Sequence, residues 1–443
     1  MRPQLLISGK FLIASAQSDV LPEGAIVVDG PRVVAVGRRG ELEQQYPNAT
    51  VWHRDDCAIL PSFVNTHHHM YGVLAHGIPL HAAPTGFWAF LQDFWWPKVE
   101  DALTLEAIVA ATDWACWEMS HNGITTFYDC LEAPNAIPGA LEAEAEVVER
   151  WGLRGLLSFE ATERQSAANG QAGLEENVKF VARQRARKSL VQGLMCFHTS
   201  FTCSRAFIER ASELARELDV PVHMHVAEGS YEQEYCRAKY GKQVIEAYAE
   251  WGVLGPDVIA SQCVQVSPRE IELLAQHGAQ ISHMPLSNCE VGGGFSPVPE
   301  MLARGVVAGL GTDGYINDMF EVMRGAFLMP KARLQDPTVM PARTVWAMAT
   351  VDGGRVLGLP EVGWLGPGSS ADWMAVRLDL PTAPAAHNLL DQLLLWRSPG
   401  SILDVMAAGR WLKRDGEVLG GDAVTIRARC RQAAHKLWER ARG

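Results

Sequence analysis

Eight short apolar runs recur between residues 59 and 360, each followed by polar residues and a stretch of helical period: AILPSFV, ITTFYD, LRGLLSF, LVQGLMCF, VPVHMHV, DVIASQ, AQISHM and VVAGLGT. Parallel strands cannot be joined by tight turns, so a strand that alternates with a helix-length connection marks a βα unit. Eight such units are the make-up of an α/β fold of the (β/α)8 TIM-barrel type, whose functional groups gather at the C-terminal ends of the strands. A doubly wound sheet is the competing arrangement. It is disfavoured because no GxGxxG turn follows the first run, and the GGG at 292–294 follows a loop.

The two ends of the chain have a different texture. Residues 4 to 38 read as short strands closed by glycine turns, LLISG, KFLIAS, AIVVDG and RVVAVG, and the pattern returns in ADWMAVRLD, SILDVMAAG and RWLKRDGEVLG. Chain termini of compact proteins often lie close together, so both ends are expected to build one discontinuous β-sandwich domain from residues 1–58 and 361–443. The barrel then occupies 59–360. A closing helix is expected over 423–442, with Val424, Ala428, Ala433 and Leu437 as its apolar stripe.

Bulk properties exclude several classes of function. With 48% hydrophobic and 20% charged residues, the 443-residue chain is globular rather than disordered. Its net charge of -12 repels phosphate backbones, so nucleic acid is not an expected partner. Nine cysteines without CxxC spacing suggest neither a disulfide framework nor a zinc ribbon, and a reducing cytoplasm follows. Gly9 and Lys10 interrupt the apolar N-terminus, and no later stretch is long enough to span a bilayer, so no membrane association is expected.

Three motifs carry the chemistry. In NTHHHM, residues 65 to 70, strand alternation sends His67 and His69 to one side and His68 to the other. Two imidazoles at a strand end suit a divalent metal, although a His-rich surface loop fits the motif read alone. In HMHVAEG, His223 and His225 share a side, and Glu228 follows in the loop where barrel enzymes keep catalytic groups; a core histidine and a solvated Glu are the plain alternative. GLGTDG ends a third apolar run in Asp313, and an isolated TDG is ordinarily a turn. Each group ends a different strand of the expected barrel, so all can meet above one axis. Three histidines, an aspartate and a water suit a catalytic metal with an open position, which points to metal-assisted hydrolysis.

These motifs resemble the amidohydrolase superfamily, in its chlorohydrolase and deaminase branch, which includes the cytosine deaminase-like and triazine hydrolases. The family's first-strand, fifth-strand, seventh-strand and eighth-strand patterns appear here as PSFVNTHHH, HVAE, HMPLSN and GTDG, and LGPGSSADWMAVRLD extends the likeness toward the C-terminus. HVAEGSYEQEYCRAKYGK, the short link from GTDG to NDMFEVMR, and FWWPKVEDAL are most similar to SsnA-type aminohydrolases. The resemblance implies one divalent metal, zinc first with iron, manganese or cobalt as alternatives, held by His67, His69, His225 and Asp313. It implies that Asp313 takes a proton from the metal-bound water and that Glu228 passes it to the departing nitrogen. FHTSFTCS is similar to the fourth-strand motif and implies that His198 contacts substrate, with His283 from HMPLSN beside it.

One departure is large. Where the family's sixth strand carries A-H-C-V-H-L, this chain has SQCVQV, with Gln262 and Gln265 in the histidine places. An amide there can still hydrogen-bond hydroxide or substrate, but it cannot become cationic. Smaller departures are Ser62 for the first-strand Gly and His76 for the Arg of A-R-G. The first-loop aromatics Phe87, Trp88, Phe90, Phe94, Trp95 and Trp96 can stack on a flat ring, with Trp88 the expected substrate contact, or can form a subunit contact or core patch. The resulting expectation is a cytoplasmic, homo-oligomeric, metal-dependent aminohydrolase. It would release ammonia from a small planar nitrogen heterocycle such as a purine, pterin, pyrimidine or triazine. Loss of chloride, an alkylamine or a thiol, cleavage of an amide, and a barrel that binds a small molecule without turnover remain the alternatives.

Overall fold

The computed structural model describes residues 4–314 and 316–441. Its centre holds eight short parallel strands: β1 (Phe63–His68), β2 (Ile124–Leu131), β3 (Arg154–Phe159), β4 (Met195–Cys196), β5 (Val222–Val226), β6 (Val258–Gln262), β7 (Gln280–His283) and β8 (Ala308–Leu310). β1, β2 and β3 pair in that order with the two-residue strand Gln192–Gly193, while β4 to β8 form a second parallel sheet in chain order. The run LVQGLMCF is therefore split between the two sheets, with Leu194 at the break. Isolated parallel bridges link the sheets beyond their strands, Ala161 with Phe197 and His68 with Asp313. At the second of these, Thr312 N and Asp313 N both donate to His67 O at 3.0 Å.

Glycine makes that approach possible. A Cβ on Gly309 would sit 2.4 Å from Thr66 Cγ2, and one on Gly311 would sit 2.8 Å from His67 Cβ. Any side chain at either position would push β8 away from β1. Phe63, Phe127, Phe159, Phe197 and Phe320 are fully or almost fully buried around the sheets, and Phe63 stacks on Trp346 at 5.6 Å.

Strands from both ends of the chain meet in one nine-stranded sheet. Leu5–Ile13 lies parallel to Thr50–Pro61, which pairs antiparallel with Trp373–Arg377, and the sheet continues through Ile402–Ala407 and Arg410–Arg414. The run AILPSFV is thus not a single strand. Ala58–Pro61 closes the terminal sheet, and β1 begins at Phe63. Between them Ser62 N turns to Asp372 O (3.1 Å), while Phe63 N donates to Gly123 O (2.9 Å).

The closing helix spans Ala423–Arg440 and is capped by the Asp422 side chain, which accepts from Thr425 N at 2.8 Å. It packs on helix Leu105–Asn122. Its buried face is Ile426, Cys430, Ala433 and Leu437, which keeps Ala433 and Leu437 of the expected stripe but not its first two residues, because Val424 is 72% exposed and Ala428 faces solvent. Counting from the cap makes Ile426 the first inward residue and sets the i, i+4, i+7, i+11 spacing. Among the described residues no helix is long and apolar enough to cross a membrane, and all nine cysteines are free.

Lys413 ties the terminal sheet to helix Leu105–Asn122. Its side chain is buried, and its ammonium donates to His121 O at 3.0 Å and Pro399 O at 3.4 Å. Burial lowers its pKa from 10.5 to about 8. Between those two values the unfolded chain binds the proton and the folded chain does not, so this residue's contribution makes stability rise with pH through that window. Lys413→Met should flatten that rise, as measured by urea unfolding from about pH 7 to about pH 10.

Candidate metal centre and active site

The strand ends bring three imidazoles and a carboxylate together. His67 Nε2 lies 3.3 Å from His225 Nε2 and 3.9 Å from Asp313 Oδ2, and His69 Nε2 lies 3.6 Å from Asp313 Oδ1. Donors on a tetrahedral ion with bonds of about 2.1 Å stand about 3.4 Å apart, so these separations fit one divalent cation. The far ring nitrogens are all engaged. His69 Nδ1 donates to Cys130 O at 2.8 Å, which leaves its Nε2 as the lone-pair nitrogen. His225 Nδ1 meets Glu160 Oε1 at 2.7 Å, and His67 Nδ1 lies 3.0 Å from His223 Nε2 and 3.1 Å from Ser261 Oγ. Such partners fix tautomer and ring plane, as metal-ligating histidines require.

The Cys130 thiol also lies within 4.8 Å of the three imidazole donors. It stands nearer His69 Nδ1 (3.5 Å) than Nε2 (3.8 Å), and burial raises its pKa well above the ordinary thiol value. It therefore stays a neutral thiol behind His69, whereas Asp313 presents an anion to the cluster.

Burial works against the charge of Asp313, but His69 and His225 outweigh it and hold the carboxyl below its ordinary pKa. Its Oδ2 accepts from Gln262 Nε2 (2.7 Å) and Ser287 Oγ (2.9 Å), and its Oδ1 accepts from Gly314 N (2.7 Å). Glu228 is in the opposite condition. Burial first, then the Asp313 charge, raises its carboxyl to about 8. Burial likewise opposes ionisation of Glu160, but His225 and His198 outweigh it and hold that carboxylate far below its usual range. For the same reason His225 rises to about 10 against the effect of burial, while burial takes His198 down to about 3. The loops that carry these groups are strained. Ala227, Gln262, Cys263 and Asp313 have φ of +51°, +73°, +47° and +58°, in the left-handed region that non-glycine residues rarely occupy.

A cavity of about 270 Å³ opens over the cluster. His69, His198, His225, Glu228 and Asp313 line its floor, and Ile78, Leu80, Phe87, Phe90, Phe94 and Trp95 form an apolar wall. His67 closes the cluster from beneath, fully buried. Three of the residues expected to contact substrate do not line this cavity. Trp88 stacks on Tyr231 at 4.0 Å and does not line the cavity. Gln262 is buried with its amide turned to Asp313, and among the described residues its Oε1 has no partner. His283 lines a separate small cavity with Pro285 and Phe295.

Glu160 and Glu100 are cavity residues that the motif reading passed over. Glu160 directly follows β3, and an acid at a strand's C-terminal end was a usable signal. Glu100 opens a short 3-10 turn, Glu100–Ala102, where it accepts from Tyr71 Oη at 3.0 Å and pairs with Arg164 at 3.2 Å. Nothing in its spacing marks it.

Residues 58–412 match the model of the Amidohydrolase family, and residues 24–49 match that of an imidazolonepropionase-like composite domain of bacteria. The chain is 31% identical to a 5-methylthioadenosine/S-adenosylhomocysteine deaminase of Desulfitobacterium hafniense, over 99% of each chain. It is also 31% identical to a 5'-deoxyadenosine deaminase of Methanosarcina mazei, over 94% of each. An adenosine deaminase from Xanthomonas campestris with bound zinc superposes with a TM-score of 0.89, at 26% identity and 98% coverage of both chains. A triazine hydrolase from Arthrobacter aurescens, at 22% identity, shares the fold with a TM-score of 0.85, over 98% of this chain and all of that one. Fold and relatives define a hydrolase that acts on carbon–nitrogen bonds. The chain belongs to the amidohydrolase family.

Glu160→Gln keeps the size of the group at His225 Nδ1 and removes its charge. It should weaken divalent-metal affinity by about 10- to 100-fold, read by competition with a chelator. Unchanged affinity would show that His225 is oriented by something else.

Proposed function

We propose that this chain is a metal-dependent aminohydrolase that releases ammonia from a planar amino-heterocycle, with a purine nucleoside of the adenosine type foremost. The observation that carries the reading is the opposite tuning of two carboxyls on one cavity. Asp313 is held ionised by imidazoles, and Glu228 is raised to about 8 by burial and by Asp313. Paired groups whose surroundings push their pKa values apart are the mark of a base and an acid with divided roles. The names of the relatives, deaminases of 5-methylthioadenosine, S-adenosylhomocysteine and 5'-deoxyadenosine, support the purine class.

In this reading His67, His69, His225 and Asp313 hold one divalent ion, with zinc the first choice. When bound, the ion supplies Lewis acidity that makes a water a nucleophile near neutral pH. Asp313 takes up the proton that the water sheds. Glu228 holds a proton at neutral pH and hands it to the departing nitrogen, which turns a poor leaving group into ammonia. His198, whose Nδ1 lies 2.8 Å from Thr202 Oγ1, keeps its imidazole at the cavity floor for a polar edge of the heterocycle. The apolar wall from Ile78 to Trp95 takes the flat face and excludes water. We read the two bridged parallel sheets as halves of one (β/α)8 barrel over 59–360. The terminal segments 1–58 and 361–443 make up the second, β-sandwich domain. Cytoplasmic, homo-oligomeric protein belongs to the same reading.

Zinc-loaded protein should release ammonia from adenosine-type substrates, and a chelator should abolish the release. Glu228→Gln should lower turnover by about two to four orders of magnitude with metal content unchanged. Loss of metal together with activity would reassign Glu228 as a ligand, and no ammonia from any amino-heterocycle would overturn the function. Gln262→Ala removes one of the donors on Asp313 Oδ2. It should cost about one to two orders of magnitude in turnover, and full turnover would mean that Ser287 and Gly314 suffice.

A further inference from the structure

The end of β2 carries a pair of buried acids that the proposed reaction does not use. Asp129 is fully buried in β2, and Glu144, on helix Ala140–Trp151, is 1% exposed. Asp129 Oδ1 accepts a hydrogen bond from Met70 N at 2.6 Å, and the adjacent Cys130 carbonyl accepts from His69 Nδ1 at 2.8 Å. Two consecutive residues of β2 thus fix His69 from both sides. One holds its ring, and the other holds the peptide that leaves its backbone.

The Asp129 and Glu144 carboxyls lie within hydrogen-bonding reach of each other. Among the described residues, no N–H or O–H group reaches Asp129 Oδ2 or Glu144 Oε2, and both atoms are sealed from solvent. Ionised carboxylates only accept, so the contact needs a hydrogen on one of the two. Two bare charges side by side in the core would repel each other without compensation. Burial raises both groups, Asp129 to about 7 and Glu144 well above its ordinary value, so the pair retains one hydrogen between its two carboxyls. Asp129 Oδ1 remains free to accept from the Met70 amide whichever carboxyl carries it.

We propose that Asp129 and Glu144 act as an acid–carboxylate clamp that positions His69, the two carboxyls sharing one hydrogen while Asp129 Oδ1 holds the Met70 peptide. Its bearing on the metal rests on His69 being a ligand, as read above; the backbone clamp itself does not. In this view neither residue touches substrate or metal. A glutamine at 144 would do the same work as the acid, because its amide N–H replaces the carboxyl hydrogen. An asparagine at 129 would also serve, since Oδ1 still accepts from Met70 and Nδ2 donates to Glu144.

Two measurements test the clamp: amide hydrogen exchange of the segment after His69, and the visible spectrum and chelator release of the cobalt-loaded protein. Glu144→Gln and Asp129→Asn should match the unmodified protein in both. Glu144→Ala and Asp129→Ala should exchange the Met70 amide at least about 10-fold faster. They should also change the cobalt spectrum and release cobalt about 10- to 100-fold faster. A residue that merely fills space would lower the melting temperature without moving the spectrum, and would not be rescued by the amide. If Glu144→Ala leaves exchange and spectrum unchanged, or if Glu144→Gln is as damaging as Ala, the clamp is wrong. If the Ala variants do not fold, the two amide variants still decide, because a disturbed spectrum or fast exchange in either overturns the proposal. If the unmodified protein takes up no cobalt, the ligand reading fails, while exchange at Met70 still decides the clamp.

Discussion

The chain's chemistry depends on the contact between β1 and β8. His67 O receives two backbone N–H groups, from Thr312 and Asp313, and the contact survives only because Gly309 and Gly311 bring no side chain against Thr66 and His67. That apposition places the Asp313 carboxylate within 4 Å of His67 Nε2 and His69 Nε2. The two segments lie far apart in sequence, so no local preference could bring them together. Backbone hydrogen bonds do so, and their rigidity matters because a shift of about 1 Å in a reacting group can cost about 100-fold in rate. Gly72 adds a second constraint on the same corner. A Cβ there would meet Gly314 Cα at 2.9 Å, so the turn after His69 and the turn after Asp313 pack backbone to backbone.

Around this corner the protein buries an unusual amount of negative charge, and each acid is answered differently. Glu160 is paired with the His225 imidazole. Glu100 and Glu132 share the Arg164 guanidinium with Asp101, and because one cation cannot balance three anions, burial raises Glu100 well above its ordinary pKa and Glu132 to about 7. Among the described residues Glu228 has no cation of its own beyond the cluster, and burial raises its carboxyl to about 8; burial likewise raises Asp129 and Glu144, which share a hydrogen. Buried charge persists only where it is paired or neutralised, so the location of the unanswered carboxyl is informative. Glu228 sits on the open cavity, where its proton can be given away, and Glu144 lies behind β2, where its hydrogen can only hold structure.

Much of this was legible in the sequence. The eight apolar runs correspond to parallel strands, and strand alternation placed His67, His69 and His225 toward one another because side-chain direction in a strand follows from period alone. Three readings went astray for physical reasons. AILPSFV looks like one strand because apolar periodicity does not show that the chain changes sheets at Ser62, a switch made by tertiary hydrogen bonds to Asp372 and Gly123. The expected stripe of the closing helix agrees with the structure at Ala433 and Leu437 but not in the first turns, where several weakly apolar faces compete until packing on helix Leu105–Asn122 selects Ile426 and Cys430. The aromatic loop was read as a whole, but only part of it faces the cavity. Trp88 is drawn away by Tyr231, and its neighbours Phe87 and Phe90 remain at the wall. Glu100 and Glu144 carry no motif, because a buried acid is recognised by what surrounds it in space.

Gln262 is where sequence and geometry inform each other most. Its backbone at φ +73° is in a conformation that costs energy for a side-chain-bearing residue, so the surrounding structure must hold it there. That conformation turns the amide onto Asp313 Oδ2, at 2.7 Å, where Ser287 Oγ also arrives. A neutral amide orients the carboxylate without adding charge, so Asp313 keeps its ionisation chiefly from the imidazoles, helped by its bonds from Gly314 N and Ser287 Oγ, and its affinity for a proton is not lowered further by a cation at this position. A histidine in its place could become cationic and would compete with a divalent ion for the same carboxylate charge. Among the described residues Gln262 Oε1 has no partner, and this buried acceptor beside Asp313 is the remaining cost of the arrangement. The departure from the family's sixth-strand pattern therefore trades a titratable group for a fixed dipole, and it moves control of the Asp313 proton to the imidazole cluster.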